Sequence, residues 1–494
     1  HCPNCGVKDK KGRNDMALSN NHSSVIKGKQ NDIPVSSCGS QRQGDGSRNI
    51  CQGGEKVCIF KVPDPMMNSN RDAYVPCIVS LGPYHQGEKS TMDKYKRQAV
   101  RRLVTRINKS EEWLMKEIQK IEKEIREHYE EEEINCNGEK LCWMMTADAC
   151  FILEFFKCAA ETRDDQNVQG SYSHVFQNKG YKNCMHSAIL TDIMKLQNQV
   201  PLFILIKLLQ LEFDDAKREL ARILSNSNPF KGFPFNSKQE SDDSIKSKLD
   251  EENPCHLLDL YRMVIRDRLI PRSESSRSES STAYRCGYQQ LPSSNVGAEK
   301  GKIERHIPCA EKLENAGIEI KSDNIKFEKS KFGISKLFLP QITVKYSTET
   351  LLRNLVAYEE CQRCSSNPKK PVISCYVNLL DKLIDSEKDV ALLQDSKIIK
   401  SFVGSDEVIV GMFNKLAIGM TVEPPDGDTI ENFESIHQLD EVMADARKHY
   451  KNKWNRLMIE FHQTYFSKPW YIVSLSAATA LLVMTLIQTV YAEK

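Results

Sequence analysis

The segment Gly82-Pro83-Tyr84-His85-Gln86-Gly87-Glu88-Lys89-Ser90 comes nearest in this sequence to a loop that could cradle a phosphate. It follows an apolar, strand-like run and precedes a helical pattern. A phosphate loop needs Lys directly after its second Gly, so that the ammonium and several backbone N–H groups converge on one anion. Here Glu88 intervenes with an extra residue and a negative charge, and Pro83 removes an N–H. The segment therefore reads as a structural turn. Within it, His85 is the side chain best suited to chemistry, as a general base or a pH-sensitive contact. No Ser or Cys nucleophile stands at a recognised spacing from it. Gly82, Pro83 and Gly87 favour a turn histidine hydrogen-bonded to backbone.

Cysteine is the other reactive residue type, with 17 in the chain. Cys2-x-x-Cys5 and Cys361-x-x-Cys364 are each half of a zinc site, but they lie far apart in sequence, and a structural site needs four ligands together. His1 and His22 add no recognised spacing. Cys361 is read as packing a helix end, and Cys150 and Cys158, in apolar helical contexts, as small hydrophobes. There is no Gly-x-Ser-x-Gly elbow and no His-Glu-x-x-His helix. No catalytic, cofactor-binding or metal-binding residues are assigned, and no cofactor is expected. Residues 1 to 30 lack an apolar stretch of signal length, so the cysteines are expected as reduced thiols facing the cytosol. That orientation argues against glycosylation at Asn21-His22-Ser23 and Asn108-Lys109-Ser110.

The elements that would carry these residues are mostly helical. Residues 1–57 are rich in Ser, Asn, Gly, Gln and Lys and are expected to be disordered. A first helical part is expected over 58–270. Val57 to Pro63 and residues 74 to 81 look extended. A long helix is expected from Met92 to Tyr129, with Leu114, Ile118, Ile121 and Ile125 on one face. Residues 141 to 160 are apolar nearly all round, and Asp148, Glu154 and Lys157 place that helix in a core, not a membrane. The helix from His186 should be kinked or split by Pro201. Shorter helices are expected at Asp214 to Leu224 and Cys255 to Arg268.

Residues 271–302 are Ser-rich with mixed charge and are expected as a flexible linker. A second part, 303–467, should hold a helix at Ala310 to Asn315 stopped by Gly317, and then a small β element. That element comprises short segments around Ile318 to Phe327 and a strand over 334 to 346. Helices follow at Thr348 to Cys361, Val372 to Ile384 and Asp406 to Ile418. A long amphipathic helix is expected over Ile430 to Phe466, with Leu439, Met443, Ala446, Tyr450, Trp454, Leu457 and Phe461 on one face.

Residues 468–494 are expected as an anchor and short tail. Ile472 to Val490 carries no charge and is long enough to cross most of a ~30 Å hydrocarbon core. Lys468, Trp470, Tyr471 and Tyr491 flank it with interfacial side chains. Arg447, Lys448, Lys451, Lys453, Arg456 and Lys468 precede the span and Lys494 follows it, which places the large domain in the cytosol. The whole chain has a net charge of +2, 28% charged residues and a mean hydropathy of −0.50, as in a largely water-soluble protein. Its basic residues are mixed with acidic ones, which gives no reason to expect nucleic acid.

Read in order, IFKVP (59–63), AYVPCIVSLGPYHQG (73–87), ADACFILEFF (147–156) and LTDIMKLQNQVPLFIL (190–205) form a recognisable series. It continues through HLLDLYR (256–262), AEKLENAGIEI (310–320), TETLLRNLVAYEEC (348–361), SCYVNLLDKLIDSEKDVALL (374–393) and GSDEVIVGMFNKL (404–416) to KPWYIVSLSAA (468–478). The chain resembles the plant domain-of-unknown-function 247 family over about residues 58 to 490. It departs where that family often has two His (here His85-Gln86) and Asn-Pro-Trp (here Lys468-Pro469-Trp470). The resemblance implies a mostly helical plant protein with a C-terminal membrane helix, and some members are linked to self-incompatibility in grasses. It implies no enzymatic activity. The expectation is a mainly α protein with a few short strands: a helical soluble body plus one C-terminal transmembrane helix. Its partners are the membrane, through Ile472 to Val490, and a protein, with no nucleic acid. Its function is expected to be non-enzymatic recognition or signalling. The alternatives are an enzyme, such as a hydrolase with a site near His85, and a self-associating membrane scaffold.

Overall fold

Backbone groups at helix ends need partners, and the sequence supplies side-chain caps at several of the boundaries seen in the computed structural model, as at Ser110, Ser241 and His256. That structure describes residues 57–86, 92–130, 134, 136–164, 179–227, 234–235, 240–270, 307–330, 334–363, 371–416, 434–452, 454, 457 and 469–492. Of the expected disordered segment 1–57 all but Val57 lies outside them, as does the expected linker 271–302. Helix α1 (Asp64–Ser69) opens the described chain. Helix α2 (Asp93–Ile107) stops at Asn108, which adopts the left-handed conformation at φ 53°. Ser110 then accepts the Trp113 N–H and starts α3 (Glu111–Gln119), and α4 (Glu122–Arg126) follows. The single helix expected from Met92 to Tyr129 is therefore three. A left-handed Asn followed by a Ser cap overrides continuous apolar spacing.

Helix α5 (Gly138–Asp164) is the apolar helix expected at 141–160, and α2, α3, α7 and α8 all pack against it. Helix α6 (Lys179–Ile193) passes through a 3-10 turn (Leu196–Asn198) into α7 (Leu202–Leu209); Pro201, expected to kink or split the run, is the N-cap of α7, whereas the 96° bend comes earlier, between Ile193 and Leu196. Leu196, Leu202, Leu205 and Leu208 are buried, so this bent apolar pair is core. Helices α8 (Ala216–Ser227), α9 (Asp242–Glu251) and α10 (Leu257–Leu269) complete the first part. Helix α9 was not expected: its sequence is largely polar, and Ser241 caps it by accepting the Ser244 N–H. The extended segments at 57–63 and 74–81 form no ladder, apart from one isolated bridge between Ile59 and Tyr129.

In the second part, α11 (Ala310–Asn315) ends before Gly317, at φ 76°. Strands β1 (Ile318–Ser322), β2 (Lys326–Glu328) and β3 (Ser335–Leu339) form a sheet in the order β1-β3-β2, parallel between β1 and β3 and antiparallel between β2 and β3. Pro340 divides the strand expected over 334 to 346. Beyond it, β4 (Ile342–Val344) pairs in parallel with β5 (Ile399–Ser401). Helices α12 (Thr348–Arg363), α13 (Val372–Leu383) and α15 (Asp406–Leu416) match expectation, whereas α14 (Glu387–Asp395), opened by a Ser386–Asp389 capping box, was missed. Helix α16 (Glu434–Lys451) buries Leu439, Met443 and Ala446. Trp454 and Leu457 were expected on the same face and are instead 74% and 56% exposed.

A last helix, Pro469–Ala492, contains the expected span Ile472–Val490, and every one of its residues whose side chain is described is exposed. Among the described residues no single helix is long and apolar enough to cross a membrane. Ser476–Ala492 is a shorter apolar helix.

Contacts gather Gly54–Lys494 into one compact unit. A buried ionic group ties its two parts together. Arg262 of α10 donates to Asp259 at 3.1 Å and faces Glu359 of α12 at 4.0 Å. Glu359 also accepts the N–H groups of Ile373 and Ser374 and the Ser374 hydroxyl, at the start of α13. Burial pushes the Glu359 carboxyl above the ordinary range, against the pull of Arg262 and these donors. Arg262→Ala should destabilise the chain by about 3–5 kcal/mol, because it strands two buried carboxylates. Asp259→Asn added to Arg262→Ala should recover part of that loss. Urea unfolding of the purified proteins measures both; equal stability of wild type and Arg262→Ala would refute the role given to this group.

Candidate functional site

Residues 72 to 82 leave a 3-10 turn (Arg71–Ala73) and pass along the core without a strand partner. Tyr74, Pro76 and residues 79 to 82 are buried and Asp72 and Cys77 exposed, and each buried N–H and C=O there must still be satisfied. The turn between α6 and α7 does much of this. Asp192 accepts the N–H groups of Cys77, Ile78 and Val79 at 2.9, 2.6 and 3.1 Å. Lys195 donates to the carbonyls of Asp72 and Val75 and pairs with Asp192 at 3.3 Å. Asn198 accepts the Leu81 N–H and donates to the Val79 carbonyl. From α12, Asn354 donates to the Ala73 carbonyl and accepts the Leu196 N–H. All four side chains are 3% exposed or less.

The chain leaves this clamp at Gly82. Its N–H goes to Asp148 of α5, and Asp148 pairs with Lys96 of α2 at 2.5 Å. Lys96 also donates to the Ser80 carbonyl. Burial raises the Asp148 carboxyl above its ordinary pKa despite Lys96 and the Gly82 N–H. Burial first, and Asp148 second, hold the Tyr129 phenol well above 10. The Tyr129 hydroxyl donates to the Gln199 carbonyl, while Gln199 accepts the Leu258 N–H from α10. Gly82 sits at φ 69°, and a Cβ there would lie 2.8 Å from the Gln199 carbonyl oxygen.

This arrangement decides the turn's chemistry. A phosphate needs free N–H groups, and that of Gly82 is committed to a carboxylate. His85 is 6% exposed, within a turn where the Gln86 N–H reaches the Pro83 carbonyl. Tyr84 beside it donates to the Ile59 carbonyl and accepts the Glu130 N–H. Residues 87–90 lie outside the described part. A second buried histidine was missed by sequence: His256 accepts the Asp259 N–H on Nδ1 as the cap of α10, so its Nε2 carries the proton donated to the Cys58 carbonyl. Nothing but its position before a helix, HLLDL, could have revealed it.

Cys361 is half-buried at the end of α12, with its thiol 3.6 Å from the Lys61 carbonyl. Cys364, Cys2, Cys5, His1 and His22 lie outside the described residues. Among the described residues no group of three or more His, Cys, Asp or Glu is placed to hold a metal ion, and the ten cysteines whose side chains are described are free thiols. Burial pushes Cys142 up to about 11 and Cys150 higher still, so neither supplies a thiolate near neutral pH. Asp192, Lys195, Asn198 and Asn354 were also missed as a constellation. Their legible sign was a cluster of polar residues inside apolar helical runs.

Gly82→Ala should destabilise the chain by about 2 kcal/mol or more, since it meets both a positive φ and a backbone oxygen. Scanning calorimetry reads this as a lowered melting temperature; an unchanged value would mean that the clamp can open there freely. His85→Ala should also lower the melting temperature, by the equivalent of about 1–3 kcal/mol, through lost packing of a buried ring. An unchanged melting temperature with loss of biological activity would make His85 a chemical residue instead.

The comparisons with known proteins bear on the whole unit. The model of a family described as plant protein of unknown function, domain-of-unknown-function 247, matches residues 59–484. A putative UPF0481 protein of Arabidopsis thaliana, At3g02645, is 27% identical over 509 residues, covering 87% of this chain and 89% of that protein. A second Arabidopsis UPF0481 protein, At3g47200, is 28% identical over 454 residues, covering 89% of this chain and 87% of its own length. No solved structure matches. Four of the motif stretches read from the sequence, 73–87, 147–156, 190–205 and 348–361, carry the clamp just described, and the chain belongs to the domain-of-unknown-function 247 family of plant proteins.

Proposed function

We propose that this chain is a membrane-anchored plant protein whose helical body serves recognition or signalling and not catalysis. The observation that carries the anchor is the helix Pro469–Ala492. The helix is about 36 Å long, and its shorter apolar stretch, Ser476–Ala492, would cross most of a ~30 Å hydrocarbon core. Leu481, Leu482 and Leu486 are each about two-thirds exposed, with Trp470 and Tyr491 exposed near its ends. Exposed leucines along a whole helix are costly in water and favourable in lipid, and the aromatic residues suit the headgroup layers. Six basic residues before the span against Lys494 after it favour a cytosolic body.

The non-catalytic reading is supported by the clamp, where side chains that resemble a reactive cluster satisfy the protein's own backbone. A protein partner follows from the same reading, its surface unassigned. Self-association is the second reading, and the exposed Trp454 and Leu457 favour it. Deletion of residues 470–494 should release the protein from membranes into the soluble fraction. Retention of the truncated chain after a high-salt wash would remove the anchor from this helix. With the full chain, protease added outside sealed right-side-out vesicles should spare the body; digestion would reverse the orientation. Chemical cross-linking of the anchored chain separates self-association from capture of another protein.

A further inference from the structure

We propose that the outward face of α2 docks on the anionic headgroups of a phospholipid bilayer and so orients the body against its membrane; this rests on the anchored reading above. Helix α2 carries Lys94, Lys96, Arg97, Arg101, Arg102 and Arg106 against a single carboxylate, Asp93. The fold sorts these cations by face. Lys96 pairs with Asp148, Arg102 and Arg106 with Glu154 at 3.5 and 2.6 Å, and Arg106 also with Glu212 at 2.6 Å. These three seat the helix inward.

Lys94, Arg97 and Arg101 follow one another at spacings of three and four, are all exposed, and so share one outward stripe. Lys109, also exposed, stands just past the helix end. Among the described residues, Lys94, Arg97 and Lys109 have no carboxylate partner, and Arg101 has Glu111 at 4.0 Å. Like charges at this spacing repel each other unless an anion joins them. An aromatic ring lies beneath three of the four: Arg97 is 5.9 Å from the Trp143 ring, Lys94 4.8 Å from Tyr95 and Lys109 5.5 Å from Trp113. Cations backed by Trp and Tyr suit a headgroup layer, where phosphate oxygens meet guanidinium and ammonium groups and ring bodies meet the start of the apolar zone. An anchored chain also keeps a plane of such headgroups at high local concentration, which a soluble acidic peptide lacks.

The test uses the full chain in nanodiscs of phosphatidylcholine alone, or of phosphatidylcholine with phosphatidylserine at roughly two to one. Lysines are labelled with an amine-acylating reagent and read by mass spectrometry. Labelling of Lys94 and Lys109 should fall about fivefold in the anionic discs and recover in high salt, while Lys321 on β1 stays unchanged. Arg97→Glu with Arg101→Glu should abolish the protection, and Arg97→Gln with Arg101→Gln should at least halve it without reversing charge. Equal labelling in both discs, with the chain still held by them at alkaline pH, would overturn the docking face alone. Protection that is the same in both lipids and indifferent to salt would also overturn it, since another protein surface would then cover α2. Loss of the chain from the discs at alkaline pH would overturn the anchor and the docking together.

Discussion

A buried peptide segment that is neither helix nor strand must have its hydrogen bonds supplied by side chains, and this structure is arranged around that need. Residues 72–82 take acceptors from Asp192, Asn198 and Asp148 and donors from Lys195, Lys96 and Asn354. An unmade buried bond costs about 1–3 kcal/mol, and several here share one carboxylate, so losing a single side chain strands several groups. The segment also explains why α6 and α7 are split. The 96° bend between Ile193 and Leu196 turns the polar residues of that run toward the segment while its leucines stay in the core.

The same network makes one body from two stretches of sequence. Asn354, on α12, bonds both the clamped segment and the clamping turn. Arg353 beside it reaches the Ser69 hydroxyl at 3.0 Å, and Arg262 joins α10 to Glu359. Ser335 on β3 meets His449 of α16 at 3.2 Å, so the small sheet is tied to the helix that precedes the proposed anchor. Burial, first, and the charge of Lys329 lower the His449 pKa, which keeps that contact neutral. These polar contacts are directional, so they select one packing among the many that a leucine-rich core would tolerate.

On the proposed reading, function belongs to outer faces. The interior polar groups satisfy backbone, whereas α2 presents cations backed by aromatic rings and the last helix presents leucines. Both are side-chain sets that water alone does not favour on one continuous face, for opposite reasons: like-charge repulsion in the first, and exposed apolar area in the second.

The sequence alone determined the helical class, the family, the core helix at 141–160, the split at Pro201, the stop at Gly317 and the apolar segment 472–490. Each is local: a period, a breaker or an uncharged run. It also held the signals that divide α2 from α3, Asn108 and Ser110, although apolar spacing hid them. Only the tertiary structure decided that residues 74–81 are bound by side chains and not by a neighbouring strand, because their partners lie more than a hundred residues away at Asp192 and Asn198. Likewise, nothing local distinguishes Lys96, paired inward with Asp148, from Arg97, exposed one residue later. Which basic residue is spent on the fold and which is left at the surface depends on where α5 lies, and that is set by packing of the whole core.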